Sequence, residues 1–266
     1  MTSIMGVLNV TPDSFSDGGR WQATEAAVAH GIHLVEQGAD LVDVGGESTR
    51  PGAQRVSEAE ELRRVVPVVA QLRERGVPVS VDTMRASVAA AAVEAGAEMV
   101  NDVSGGLADP DMAETVARAR VPYIAMHWRG HSAQMDAAAQ YRDVVTEVVQ
   151  HLHQRVEQLC AEGLSRDQII VDPGFGFAKD ASHNWALLAG LGRVVALGHR
   201  VLVGTSRKRF LGRLPRVRTE LAAADRDPAT AATSLLCAQA GVWAVRVHDV
   251  PSTAQALGVW DRAQRG

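Results

Sequence analysis

The chain has 266 residues, 46% hydrophobic but only 4% aromatic, so its core must be aliphatic, and it is long enough for one large domain. A net charge of −4 and a pI of about 6.1 argue against nucleic acid or an anionic membrane as a general partner, so any bound anion must meet a local cluster of cations. Two cysteines without metal spacing, an N-terminus unlike a leader and no apolar run near the roughly 18 residues of a membrane span give the expectation of a soluble cytoplasmic protein without a disulfide framework.

Eight short runs rich in Val and Ile read as strands buried on both faces, and each ends at a polar residue. Ile4–Val10 carries Asn9 and precedes a predicted helix, Ala23–Glu36. Leu41–Val44, with Asp43 and then Glu47, leads to a helix over Ser57–Glu74, where Ser57 and Glu60 have capping-box spacing. Val77–Val81 stops at Asp82 before the helix Arg85–Glu94, and Met99–Val100 stops at Asn101 before Asp111–Ala119. Val121–Met126 stops at His127, and the next helix, Asp143–Glu162, places Val144, Val145, Val148, Val149, Leu152, Val156 and Leu159 on one face. Ile169–Val171 stops at Asp172 before the helix Trp185–Leu197. Val201–Val203 leads to Thr205 and Ser206, then to Pro228–Ala240, and Val242–Val247 carries Arg246 beside His248 before Thr253–Arg262. Gly31, Gly38, Gly76, Gly96, Gly163, Gly198 and Gly241 mostly fall where C-cap glycines are expected.

Strict alternation predicts an α/β fold, a (β/α)8 TIM barrel forming a single domain over 1–266. An open doubly wound sheet fits less well, because the first turn lacks GxGxxG and polar strand ends recur in every unit. Those ends then gather at the carboxyl rim, where barrels carry their active sites. The long connections 129–142 and 212–226 receive no assigned role.

Asn9 opens a polar loop ending in Gly18-Gly19; its side-chain oxygen suits a hard cation such as Mg²⁺, and an Asn-initiated turn is the plainer reading. Arg50, after the second strand, has the fork that fits a carboxylate or phosphate. Asp82, Asn101 and Asp172 close the third, fourth and sixth strands and together trace the hydrogen-bonding edge of a flat heterocycle; a carboxylate there also favours positive charge developing on the ring. Phe177 in Asp172-Pro-Gly-Phe-Gly-Phe-Ala-Lys179 offers an aromatic edge, and Ser206-Arg-Lys208 is expected to open a helix where barrels often hold phosphate. Lys208 could pair with Asp172 or meet a ligand carbonyl, and Arg246 or His248 could hold a diphosphate. His30, His33, His151, His153, His183 and His199 read as solvated helix residues, while His127 either lines the pocket or does not.

These motifs closely resemble those of bacterial dihydropteroate synthases over essentially the whole chain. The match runs through MGVLNVTPDSFSDGG (5–19), DVGGESTRPGA (43–53), VSVDT (ending at Thr83), MVNDVSGG (99–106), DPGFGFAK (172–179), SRKRFLG (206–212) and RVHDV (246–250). The resemblance implies a homodimeric TIM barrel of folate biosynthesis. Such an enzyme condenses 6-hydroxymethyl-7,8-dihydropterin diphosphate with p-aminobenzoate, using Mg²⁺, and is inhibited by sulfonamides. It further implies that Asp82, Asn101, Asp172 and Lys208 hold the pterin between Met126 and Val103, and that Asn9 ligates the metal. Arg246, Val247 and His248 would bind the diphosphate; Thr49, Arg50, Pro51, Phe177 and Ser206 would bind p-aminobenzoate, with Phe15 and Asp17 on a loop that closes over it. Asp82, Lys208, Arg246 and Asp17 are the expected catalytic set. The competing readings are a non-catalytic pterin-binding paralogue, a pterin-dependent methyltransferase barrel and a general sugar-phosphate barrel; the first would not need an intact polar rim, and the second would not need Arg50 or the Ser206–Lys208 turn.

Overall fold

The computed structural model describes residues 1–11, 20–47, 56–130 and 139–265. Eight parallel strands pair in sequence order and the last closes on the first: β1 Ser3–Asn9, β2 Leu41–Gly45, β3 Val79–Asp82, β4 Met99–Asp102, β5 Tyr123–Met126, β6 Ile169–Asp172, β7 Arg200–Val203 and β8 Ala244–Val247. Parallel neighbours require crossovers, and among the described residues these contain α1 Arg20–Glu36, α2 Glu58–Glu74, α3 Ala86–Glu94, α4 Met112–Ala119, α5 Val144–Ala161, α6 Ala181–Ala189, α7 Leu191–Val195 and α8 Asp227–Gln239, with α9 Val250–Arg265 after β8. The expected TIM barrel is the observed fold.

Side chains alternate across a strand, so every second residue enters the barrel. Met5, Leu41, Met99, Ile124, Ile170, Leu202 and Ala244 form an apolar floor inside it. Two residues further along the same interior rows stand Asp43, Asn101, Met126, Asp172 and Arg246, and the β3 row holds Ser80 and Asp82. The opposite parity, including Val44, Val81, Val171, Val203 and Val247, packs outward in the main apolar cluster against the helices. Period-two alternation on an aliphatic floor thus lifts the polar side chains to one end of the barrel.

Three local expectations change. The Trp185–Leu197 helix is two helices meeting at Gly190, where a Cβ would lie 2.8 Å from the Val145 methyls of α5. Gly31 is no C-cap: it sits inside α1, and a Cβ there would press on Leu72 of α2. Ser57 caps α2 by accepting from the Glu60 N–H at 3.2 Å, but the Glu60 carboxylate turns to Arg64 Nε at 2.8 Å, so the reciprocal half of the box is missing.

Candidate active site

The rim is organised by one arginine. Arg246 donates from Nε to Asp43 Oδ2 at 2.6 Å and from Nη2 to Asp82 Oδ2 at 2.8 Å, while Asn101 Nδ2 donates to the same Asp43 oxygen at 2.9 Å. These four side chains from β2, β3, β4 and β8 form a hydrogen-bonded chain inside the barrel, running Asn101–Asp43–Arg246–Asp82, and register places Asp82 beside both Gly45 and Asn101. Burial pushes the Asp82 carboxyl up to about 7; Arg246 opposes this and Asp43 adds to it. Charges this far from water persist only when paired. Asp43 Oδ1 and Ser80 Oγ, both on interior rows, are buried without a hydrogen-bond partner.

On the far side of the mouth, Asp172 accepts from the Gly174 N–H at 2.7 Å. Burial raises its carboxyl and the Lys208 charge lowers it; reciprocally, burial draws Lys208 down to about 8 against the pull of Asp172. Lys208 Nζ donates to the Phe175 carbonyl and stands 4.3 Å from the centroid of the Phe177 ring, a cation–π contact. The lysine thus acts on Asp172 electrostatically without an ion pair, and the carbonyl it holds belongs to its own protein, not to a ligand. Its stem passes over Gly176, where a Cβ would come within 2.6 Å of Cδ.

Ser206-Arg-Lys208 does not open an α-helix. Arg207 adopts φ 58°, which breaks helical continuation, and only the 3₁₀ turn Arg209–Gly212 follows. That left-handed arginine is secured by a bidentate pair with Asp227 of α8 at 2.8 and 2.7 Å. The turn presents Ser206 Oγ to His248, with 2.9 Å to Nδ1 and 3.1 Å from the His248 N–H.

Asn9 is half-buried at the end of β1, next to Gly45, and Val103 and Met126 are buried at the ends of β4 and β5. Val247 is not placed as expected: it lies on the outward row, 1% exposed in the packing layer, so its side chain cannot reach a ligand in the mouth. His127 also follows outward parity, and its Nε2 lies 3.2 Å from His151 Nδ1 of α5; His151 is accordingly not merely a solvated helix residue. Phe15, Asp17, Thr49, Arg50 and Pro51 lie outside the described residues.

The structure adds side chains the sequence reading passed over. Asp43 links Arg246 to Asn101; its signal was a carboxylate within an apolar strand. Arg85 donates to Glu47 Oε2 at 2.9 Å, to the buried Glu61 and to the Val56 carbonyl at 2.7 Å, linking the residues on either side of 48–55. Asn184 of α6 accepts from the Gly176 N–H at 2.7 Å and so braces the β6 loop from behind.

The pattern for pterin-binding enzymes matches residues 5–248. Dihydropteroate synthase of Mycobacterium leprae is 52% identical over 269 residues, covering 97% of this chain and 93% of that one. The chain belongs to the dihydropteroate synthase family. Among solved structures, the Xanthomonas albilineans dihydropteroate synthase with 4-aminobenzoic acid superimposes with a TM-score of 0.91 at 48% identity, covering 99% of this chain and 93% of that one. The same Xanthomonas enzyme in complex with 7,8-dihydropteroate gives 0.87 at 45%, with coverage of 99% and 94%. The Yersinia pestis enzyme, solved as a sulfonamide drug complex, gives 0.91 at 38%, covering 100% of this chain and 95% of that one. Among the described residues no helix is long and apolar enough to cross a membrane.

Proposed function

We propose that this mouth works by dissociative substitution, with the pterin gripped by strand-borne groups and the amine received by loops. As a dihydropteroate synthase, the enzyme is a transferase of folate biosynthesis that joins 6-hydroxymethyl-7,8-dihydropterin diphosphate to p-aminobenzoate, giving 7,8-dihydropteroate and diphosphate. The observation that carries the site reading is the buried hydrogen-bonded chain of Asp82, Arg246, Asp43 and Asn101.

Asp82 and Asn101 line one edge of the heterocycle, Asp172 and Lys208 the other, and Met126 and Val103 its faces. The C–O bond at the exocyclic methylene breaks and its electron pair leaves on diphosphate, met by Arg246, His248 and Lys208. Positive charge spreads into the ring, where Asp82, accepting from ring N–H groups, stabilises it as it forms. A preorganised group of this kind is worth roughly 3–4 kcal/mol. The amine lone pair then closes the C–N bond and its proton passes to solvent. Thr49, Arg50, Pro51, Phe177 and Ser206 receive p-aminobenzoate, Arg50 through the carboxylate, and Phe15 and Asp17 cover it. Sulfonamides, which resemble that amine, compete there, consistent with the Yersinia pestis drug complex.

Asn9 would hold Mg²⁺, which supplies charge neutralisation to the diphosphate. The fit rests on donor chemistry: one half-buried amide oxygen is a hard ligand. One domain spanning 1–266, a homodimeric assembly and a cytoplasmic location complete this reading.

Diphosphate release tests it. With the pterin diphosphate, Mg²⁺ and p-aminobenzoate present, release is expected to be matched by an equal amount of dihydropteroate. Release without dihydropteroate under those conditions, or none at all, would overturn the reading; light scattering at the monomer mass would overturn the dimer.

A further inference from the structure

Behind the loop that follows β6 lies a buried polar chain with no part in the chemistry above. Lys179 is 7% exposed, and its Nζ lies 3.0 Å from the Gly174 carbonyl, 3.2 Å from the Phe177 carbonyl and 3.1 Å from His127 Nδ1. Burial draws this lysine down to about 7, and in its ammonium form its three protons meet three acceptors. His127 is 3% exposed; if Nδ1 accepts from the lysine, Nε2–H is free to donate to His151 Nδ1, and the two imidazoles stack with centroids 5.3 Å apart.

The loop so held has an unfavourable backbone. Gly174, Gly176 and Ala178 adopt φ 69°, 72° and 46°, and the alanine has no glycine-like freedom to do so. Gly174 also crosses the His127 carbonyl so closely that a Cβ would lie 2.6 Å away. Such a conformation persists only where surrounding contacts over-determine it. One end of this segment orients Asp172 through the Gly174 N–H; the other carries Phe177.

We propose that Lys179, seated on His127, is a positioning residue for both substrates: by binding the Gly174 and Phe177 carbonyls it fixes Asp172 against the pterin and Phe177 against p-aminobenzoate. The role of His127 is to give the third lysine proton an acceptor. The proposal rests on the site reading above for Asp172 and Phe177.

Steady-state kinetics with both substrates varied, together with amide hydrogen exchange, test it. Lys179→Met removes a donor from two backbone carbonyls and leaves Gly174 only its Phe177 N–H, and each KM is expected to rise roughly tenfold with a smaller change in kcat. The amides of Gly174, Gly176 and Phe177, now bonded to Asp172, Asn184 and the Gly174 carbonyl, should exchange faster. His127→Gln, which keeps an acceptor, should remain within about threefold of wild type, whereas His127→Leu should follow Lys179→Met. These two variants retain the lysine, so they decide the matter even if Lys179→Met does not fold. Unchanged KM values and exchange in Lys179→Met, or identical behaviour of the two His127 variants, would overturn the proposal. If Asp172→Asn and Phe177→Ala themselves leave both KM values alone, the assignment of this loop to the substrates falls instead.

Discussion

The two halves of the mouth are built differently. The half assigned to the pterin stands largely on strands: Asp82, Asn101, Arg246 and Asp43 project from consecutive or facing barrel rows and hydrogen-bond one another. The half assigned to the amine stands on connections: Phe177 on a loop with three left-handed residues, Ser206 on a turn pinned by the Arg207–Asp227 pair. Strand rows offer charge stabilisation with little reorganisation, which a developing cation requires. Loops need external braces, here Lys179, Asn184 and Arg207. Substitutions in the first half should therefore act mainly on the chemical step, and those in the second mainly on substrate affinity.

Asp82→Asn gives the sharpest test of that division. It should lower kcat on the order of 100- to 1,000-fold with the far-ultraviolet circular dichroism unchanged; near-wild-type turnover would break the comparison. Asp43→Asn comes next. It removes one carboxylate from Arg246 and should lower kcat about tenfold, leave the p-aminobenzoate KM alone, and cost about 3 kcal/mol in urea denaturation, the low end for breaking a buried pair because Asp82 remains. Phe177→Ala removes the ring beneath Lys208 and should raise the p-aminobenzoate KM about fivefold with kcat nearly unchanged, a loss near 1 kcal/mol.

The smallest effect is one of pH. Burial lowers Lys208 from the ordinary lysine value of 10.5 to about 8, so between those values the unfolded chain binds more protons than the folded one. Wild-type stability should gain a rising contribution across that window and lose it as pH falls through 8. Lys208→Met should lack this slope when urea midpoints are compared at pH 7.5, 9 and 10.5; parallel curves for the two proteins would contradict it.

The architecture was legible because Val- and Ile-rich runs alternate with amphipathic helices and polar ends repeat in every unit. What escaped was mostly parity. Leu41, Asp43 and Gly45 share one face of β2, so Asp43 must enter the barrel, while Val247 and His127 fall on outward rows and leave the pocket. The turn at Ser206–Lys208 was mistaken for a helix start because a left-handed arginine held by a distant aspartate carries no local signal. Lys179 was hidden for a related reason: its partner His127 lies 52 positions away and its role depends on a loop conformation. Arg50 was readable from its fork after the second strand, whereas Thr49 and Pro51 were readable only through the motif that carries them.

The central claim is that positive charge builds on the pterin methylene before the amine bonds to it. The α-secondary deuterium isotope effect on kcat/KM, measured with the exocyclic methylene fully deuterated and p-aminobenzoate varied, addresses that directly. A clearly normal effect, reflecting loss of tetrahedral character at the reacting carbon, is the expected result. An effect at or below unity would place bond formation together with departure and contradict the account.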